Sequence, residues 1–79
     1  MTIEFKIPKS GMGITEGTIL KWLKAEGDTF TKGEVIVEVE TAKAVEELEA
    51  PFSGTVQKIL LQEDEEAEVL TTIALLEET

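Results

Sequence analysis

Short runs of alternating apolar and polar residues, broken by glycines, prolines and acid clusters, extend along the whole chain. Ile3, Phe5 and Ile7 alternate with Glu4 and Lys6, the period-two pattern of a half-buried strand, and Pro8 ends the run. Residues 9–16 contain Gly11 and Gly13 with little periodicity. They predict a surface loop from which Met12 and Ile14 fold back onto the body. Strand character resumes over residues 17–24 around Ile19 and Trp22. Burying an indole is worth several smaller side chains, so Trp22 is expected as a core or core-edge anchor. A turn through Gly27-Asp28, a core position at Phe30 and a second turn at Lys32-Gly33 follow. Residues 33–39 are then dense in β-branched side chains, with Val35, Val37 and Val39 alternating against Ile36 and Glu38.

Residues 42–50 pull the other way. They are good helix formers, with Ala44 and Leu48 four apart and Val45 and Leu48 three apart, a fair apolar stripe. A helix shorter than about 12 residues depends on tertiary packing, however. An internal repeat argues for strands instead. At an offset of 37, Gly17, Thr18, Lys21, Leu23, Glu26, Ile36 and Glu40 fall on Gly54, Thr55, Lys58, Leu60, Glu63, Ile73 and Glu77, while Ile19 meets Val56 and Trp22 meets Ile59. Each half is too small to close a core alone, so the repeat predicts an all-β, two-fold pseudosymmetric barrel of both halves. The Lys43 turn and the chain termini would then lie at equivalent, opposite ends.

Composition narrows the chemistry. The 79 residues make one domain, 1–79, of a size that buries roughly 60% of the surface its unfolded chain exposes. No cysteine staples it, so stability must come from a compact core. Seven lysines against seventeen acids leave a net charge of −10, which argues against nucleic acid and anionic membranes as partners. No continuous apolar run suggests a signal peptide or a spanning helix, so a soluble, intracellular protein is expected. The chain has no histidine and no cysteine, hence no imidazole base, no thiolate and no nitrogen or sulfur metal ligand. The densest acid run, Glu63-Asp64-Glu65-Glu66, lacks the alternating ligands and mid-loop glycine of a calcium hand and reads as a solvated turn.

One short polar segment, Glu40-Thr41-Ala42-Lys43-Ala44, lies between the two stretches that read as pairing strands. A lysine at such an apex is held away from both strands and is open to another protein. Taken alone it is an ordinary solvated hairpin lysine. Its frame resembles the lipoyl domains of the acyltransferase components of 2-oxo acid and acetoin dehydrogenase complexes, whose modified lysine sits in a Glu-Thr-Asp-Lys-Ala turn. Glu40, Thr41, Lys43 and Ala44 match that turn, and Ala42 replaces its Asp. Pro8, Gly11, Gly13, Glu16-Gly17, Trp22, Glu26-Gly27-Asp28, Gly33, Glu49-Ala50-Pro51 and Gly54-Thr55-Val56 match in order, so the resemblance covers essentially the whole chain. Two positions depart from it. Asp64 and Leu70 stand where such domains usually carry glycines, the counterparts of Gly27 and Gly33. Asp tolerates a positive φ better than most residues, whereas a Leu there either avoids that conformation or is strained.

The resemblance implies a flattened barrel-sandwich of about eight strands in two small antiparallel sheets, with lipoate joined through an amide to Lys43. It implies a non-catalytic carrier whose swinging arm moves acyl groups and reducing equivalents between active sites. The implied partners are a lipoate ligase or octanoyl transferase, a thiamine-diphosphate dehydrogenase, the acyltransferase core and the flavoprotein dihydrolipoamide dehydrogenase. Glu40, Thr41, Ala42 and Ala44, with Gly11, Met12, Gly13 and Ile14 of the neighbouring loop, are the implied frame and partner-recognition residues. An isolated domain of this kind is expected to be monomeric, in the cytoplasm of a prokaryote or in the mitochondrial matrix. The alternatives are a biotin carrier, whose lysine usually lies between two methionines where Ala42 and Ala44 stand here, and an unmodified adaptor hairpin. A carboxylate-pair hydrolase is a third, for which 79 residues supply no evident substrate pocket.

Overall fold

A computed structural model describes residues 2–8 and 14–79. Among them are eight strands and no helix: β1 (Thr2–Lys6), β2 (Glu16–Trp22), β3 (Thr29–Phe30), β4 (Val35–Glu40), β5 (Val45–Glu49), β6 (Gly54–Ile59), β7 (Glu66–Glu68) and β8 (Thr72–Glu78). Two four-stranded sheets form, in the orders β1-β8-β6-β3 and β5-β4-β2-β7, with every pair antiparallel. Between them lies a core of Ile7, Ile19, Phe30, Ile36, Val37, Val39, Leu48, Ala50, Val56, Ile73, Ala74 and Leu76. This is the expected all-β barrel-sandwich.

The repeat is written into the hydrogen bonds. Moving 37 residues carries β2, β3 and β4 onto β6, β7 and β8, and the two sheet orders become the same order with β5 in the place of β1. Each half lends its shortest strand to the other: β3 pairs with β6, and β7 pairs with β2. The exchange is sealed by matched main-chain bonds, Gly27 N–H to Val56 O at 2.8 Å and Asp64 N–H to Ile19 O at 2.7 Å. Two carboxylates do the same from side chains, Glu26 accepting from Ile59 N–H at 2.8 Å and Glu63 from Trp22 N–H at 3.0 Å. Neither half is therefore satisfied without the other.

Two segments show tertiary context overruling local pattern. Residues 45–49 are a strand, not a helix, because β4 offers a ladder in which Val37 meets Leu48 and Glu40 meets Val45. Leu48 is thereby buried while Glu47 and Glu49 stay exposed. In β4 the expected alternation fails at Ile36, which has no partner in β5 because the register shifts between Val35 and Val37. This bulge turns Ile36 and Val37 both inward, at 0% exposure each. The counterpart bulge in β8 buries Ile73 and Ala74 in the same way.

Trp22 is a core-edge anchor, half-buried, with its indole N–H donating to Leu61 O at 2.8 Å. Phe30 is buried and meets Phe52 at 6.0 Å between ring centres. The acid run 63–66 forms an exposed turn leading into β7. Gly27 and Gly33 have φ of 90° and 89°, and their counterparts follow them, Asp64 at 71° and Leu70 at 68°. Leu70 thus takes the strained alternative.

Candidate functional site

The hairpin joining β4 to β5 is closed by the pair Glu40–Val45, leaving Thr41, Ala42, Lys43 and Ala44 beyond the ladder. Thr41 braces these four residues. Its N–H and its hydroxyl both donate to Ala44 O at 2.9 Å, and the hydroxyl oxygen in turn accepts from Ala44 N–H at 3.3 Å and, more weakly, from Lys43 N–H at 3.4 Å. A side chain that hydrogen-bonds its own turn fixes a short loop without bulk, which suits Thr here. Thr41 is half-buried; Ala42, Lys43 and Ala44 are exposed. The Lys43 ammonium makes no ion pair with any described residue. The result is a stiff turn presenting one primary amine to solvent.

Below the turn, β2 is drawn tight against β4 at Gly17, where a Cβ would lie 2.6 Å from Val39 Cγ1. Gly17 and Thr18, with Glu16, Glu40, Thr41, Ala42 and Glu66, line a depression of about 240 Å³ beside the hairpin. Thr18 pairs with Glu40 on one side and Glu66 on the other, so three exposed carboxylates, Glu16, Glu40 and Glu66, border it. Sequence reasoning missed Glu16, Thr18 and Glu66. Glu66 belongs to the acid run that reads as a solvated turn, and only the exchange of β7 into the other sheet brings it here. A larger depression of about 590 Å³ lies at the waist, beside Trp22, Ile59 and Glu63. The lysine does not line it.

Of the expected recognition residues, Gly11, Met12 and Gly13 lie outside the described residues. Ile14 is buried, at 3% exposure, which fits its folding back onto the body. Its side chain does not form part of an exposed recognition surface; the neighbouring Thr15 O accepts from Val69 N–H at 3.0 Å and ties the loop's end to the turn after β7.

The hairpin thus presents an exposed primary amine flanked by two small alanines. The biotin/lipoyl family model, described as that of a biotin-requiring enzyme, matches residues 3–76. The chain belongs to the biotinyl/lipoyl attachment family. It is similar to the dihydrolipoyllysine-residue acetyltransferase component of the pyruvate dehydrogenase complex of Staphylococcus aureus, with 43% identity over 63 residues. The same component of Staphylococcus epidermidis is 44% identical over 63 residues. Each match covers 80% of this chain, but the chain spans only 15% and 14% of those proteins. Domains of this family are carrier domains.

Proposed function

We propose that Lys43 carries a lipoyl group in amide linkage and that the chain is a carrier domain of a 2-oxo acid or acetoin dehydrogenase complex. The observation behind this reading is the exposed Lys43 amine on its Thr41-braced hairpin, in a chain 43% identical to proteins named for a dihydrolipoyllysine residue. The residues fit the group: acylation needs an accessible Nζ, and a lipoate ligase or octanoyl transferase finds it at the apex with only small alanines on either side. The amide forms when the deprotonated Nζ attacks an activated acyl group, an acyl adenylate or a thioester, whose adenylate or thiol leaves with the second nitrogen proton. Loss of the ammonium charge makes the domain one unit more negative than −10. Once bound, the group supplies a disulfide that can be reductively acylated by a thiamine-diphosphate dehydrogenase, deacylated at the acyltransferase core and reoxidised by a flavoprotein. The chain's own part is to hold the attachment point rigid while the arm sweeps, so that tethering raises the effective concentration at each partner.

Intact mass and peptide mapping of protein from a lipoate-supplied host test this. One lipoyl group on Lys43 is the expected result. A lipoyl amide on Lys6, Lys9, Lys21, Lys24, Lys32 or Lys58, or biotin on Lys43, would overturn it. Lys43→Arg keeps charge and bulk but offers no amine that a ligase acylates, so it should fold normally and remain unmodified.

A further inference from the structure

Leu70 is the one described leucine held at positive φ, at 68°, and it is also 62% exposed. A bulky side chain at that φ is a genuine outlier, and an exposed one gains little from packing. What the turn needs from this position is supplied by the main chain, since Leu70 N–H donates to Ile7 O at 2.7 Å and Thr71 N–H to Glu68 O at 3.2 Å. Glycine does the same job at Gly33, whose N–H donates to Ala50 O at 2.9 Å. The leucine side chain is therefore unexplained by the fold.

Its place suggests a use. Thr18 is paired with Glu40 and with Glu66, and Glu16 with Glu68, so the chain leaving β7 emerges at the same end of the sheet as the chain leaving β4. Two strand spacings, about 10 Å, separate those exits. A standard interface covers about 800 Å² on each partner, a disc of about 16 Å radius. A protein centred on Lys43 would reach Leu70, and between them it would meet the exposed carboxylates of Glu16, Glu40, Glu66 and Glu68.

We propose that Leu70 is an apolar contact for the dehydrogenase component that loads the arm, seated in a socket rimmed by lysine or arginine. This rests on the reading of Lys43 as the lipoyl site. The ligase can read the Lys43 cation, but the dehydrogenase meets a domain from which that charge is gone. Among the described residues, this end offers it the acidic rim and the exposed apolar side chains of Val45 and Leu70.

The test uses the lipoylated domain and the dehydrogenase component that acylates the wild type best, chosen from those acting on pyruvate, branched-chain 2-oxo acids and acetoin. Leu70→Gly and Leu70→Asn both relieve a positive φ, so their midpoints of thermal unfolding should rise by about 2–6 °C. Lipoylation, followed by mass, should stay within about twofold, while kcat/KM for reductive acylation falls by about tenfold, as expected for losing one buried leucine contact. Leu70→Met, which keeps the apolar contact, should retain acylation within about threefold. Unchanged acylation of the lipoylated Gly and Asn variants would overturn the proposal. So would a loss of lipoylation with acylation spared, which would make Leu70 a ligase contact, or midpoints that fail to rise. A wild-type domain that carries no lipoate on Lys43 fails earlier, at the mass measurement, and removes the attachment reading itself.

Discussion

The turns in the two halves of this domain make matching main-chain hydrogen bonds with different residues. In the first, the tight turns fall on Gly27 and Gly33; in the second, on Asp64 and Leu70, at φ values within about 20° of the glycines'. The backbone path was therefore retained where the side chain that best suits it was not. Main-chain ladders and the exchanged strands β3 and β7 dictate φ at these turns, and the local sequence follows at some cost. Where the halves do agree, at Gly17 and Gly54, the reason is space. A Cβ on Gly17 would meet Val39 Cγ1 at 2.6 Å, but one on Gly54 would meet Glu77 O at 2.1 Å and Glu77 C at 3.0 Å.

That contrast between a side-chain and a backbone obstacle sets the largest expected effect. Gly54→Ala has to separate β6 from β8, strands next to each other in their sheet, and should cost about 3 kcal/mol or more, near the upper end for overpacking. Gly17→Ala displaces only a valine methyl, though a buried one, and should cost about 1–2 kcal/mol. Urea unfolding of the two variants compares them directly; equal losses would mean that the halves are pinned equally at this point.

The turns come next. Gly33→Leu copies the second half into the first and should destabilise by about 1–2 kcal/mol, because a Cβ at φ near 89° is strained even though nothing lies within 4 Å of it. Gly27→Asp should cost less, roughly 0.5–1 kcal/mol, since Asp is among the residues that visit this region. Thermal unfolding of both would show whether Asp64 and Leu70 carry unequal strain, as their chemistry requires.

Much of this was legible in the sequence, and the illegible parts share one cause. The strands around Ile3, Ile19 and Val37, the turns at Gly27 and Gly33 and the offset of 37 are local or self-similar signals that survive without a structure. The bulges at Ile36 and Ile73 are not, because they are set by the register against β5 and β1. Likewise the apparent helix at residues 42–50 loses to β4 only through pairing, which propensity does not see. At the site, the Lys43 turn could be read directly from Glu40 to Ala44. Glu66 could not, since β7 brings it there only by crossing from the second half, and Glu16 and Thr18 could not because they depend on the register of β2 against β4. Ile14 shares the recognition loop only by its neighbours in sequence, and its β-branched apolar side chain sits inside.

A finer probe is the reciprocal pair of carboxylates. Glu26 and Glu63 each accept one main-chain N–H of the opposite half, at 2.8 and 3.0 Å. Removing either, as Glu26→Ala or Glu63→Ala, should cost about 0.5–1.5 kcal/mol, the ordinary net value of such a bond. The Trp22 end has a second tie, its indole bond to Leu61 O, which Ile59 has no means to copy. Glu26→Ala should therefore loosen its half more than Glu63→Ala does, and hydrogen exchange at Ile59 N–H should rise more than at Trp22 N–H. Faster exchange at Trp22 would show that the indole bond does not hold that strand end.

The smallest expected effect lies at Glu34, where the halves differ in charge. Glu34 Oε1 accepts from Thr31 N–H at 3.0 Å, and Oε2 lies 3.0 Å from Lys24 Nζ; at offset 37 the second half has Thr71 and Leu61 and can form no ion pair there. The Thr31 N–H first, and Lys24 second, hold the Glu34 carboxyl below its ordinary value of 4.5. A carboxyl whose folded pKa is depressed stabilises the fold when ionised, so its contribution is present above the unfolded value and is lost as pH falls through the folded one. Because the group is exposed and the pair is screened by solvent, the effect is slight. Glu34→Gln should lower the unfolding midpoint a little at neutral pH. The gap from wild type should then narrow once pH drops below 4.5 and the wild-type carboxyl takes up its proton. Thr71→Glu alone should reproduce this behaviour only in part, through the main-chain N–H of Glu68 at the place of Thr31, since Leu61 offers no cation, whereas the double change Leu61→Lys with Thr71→Glu should reproduce it more fully. A gap that widens in acid would mean that the protonated form is the one the fold prefers, and the ion pair would then count for nothing in the difference between the halves.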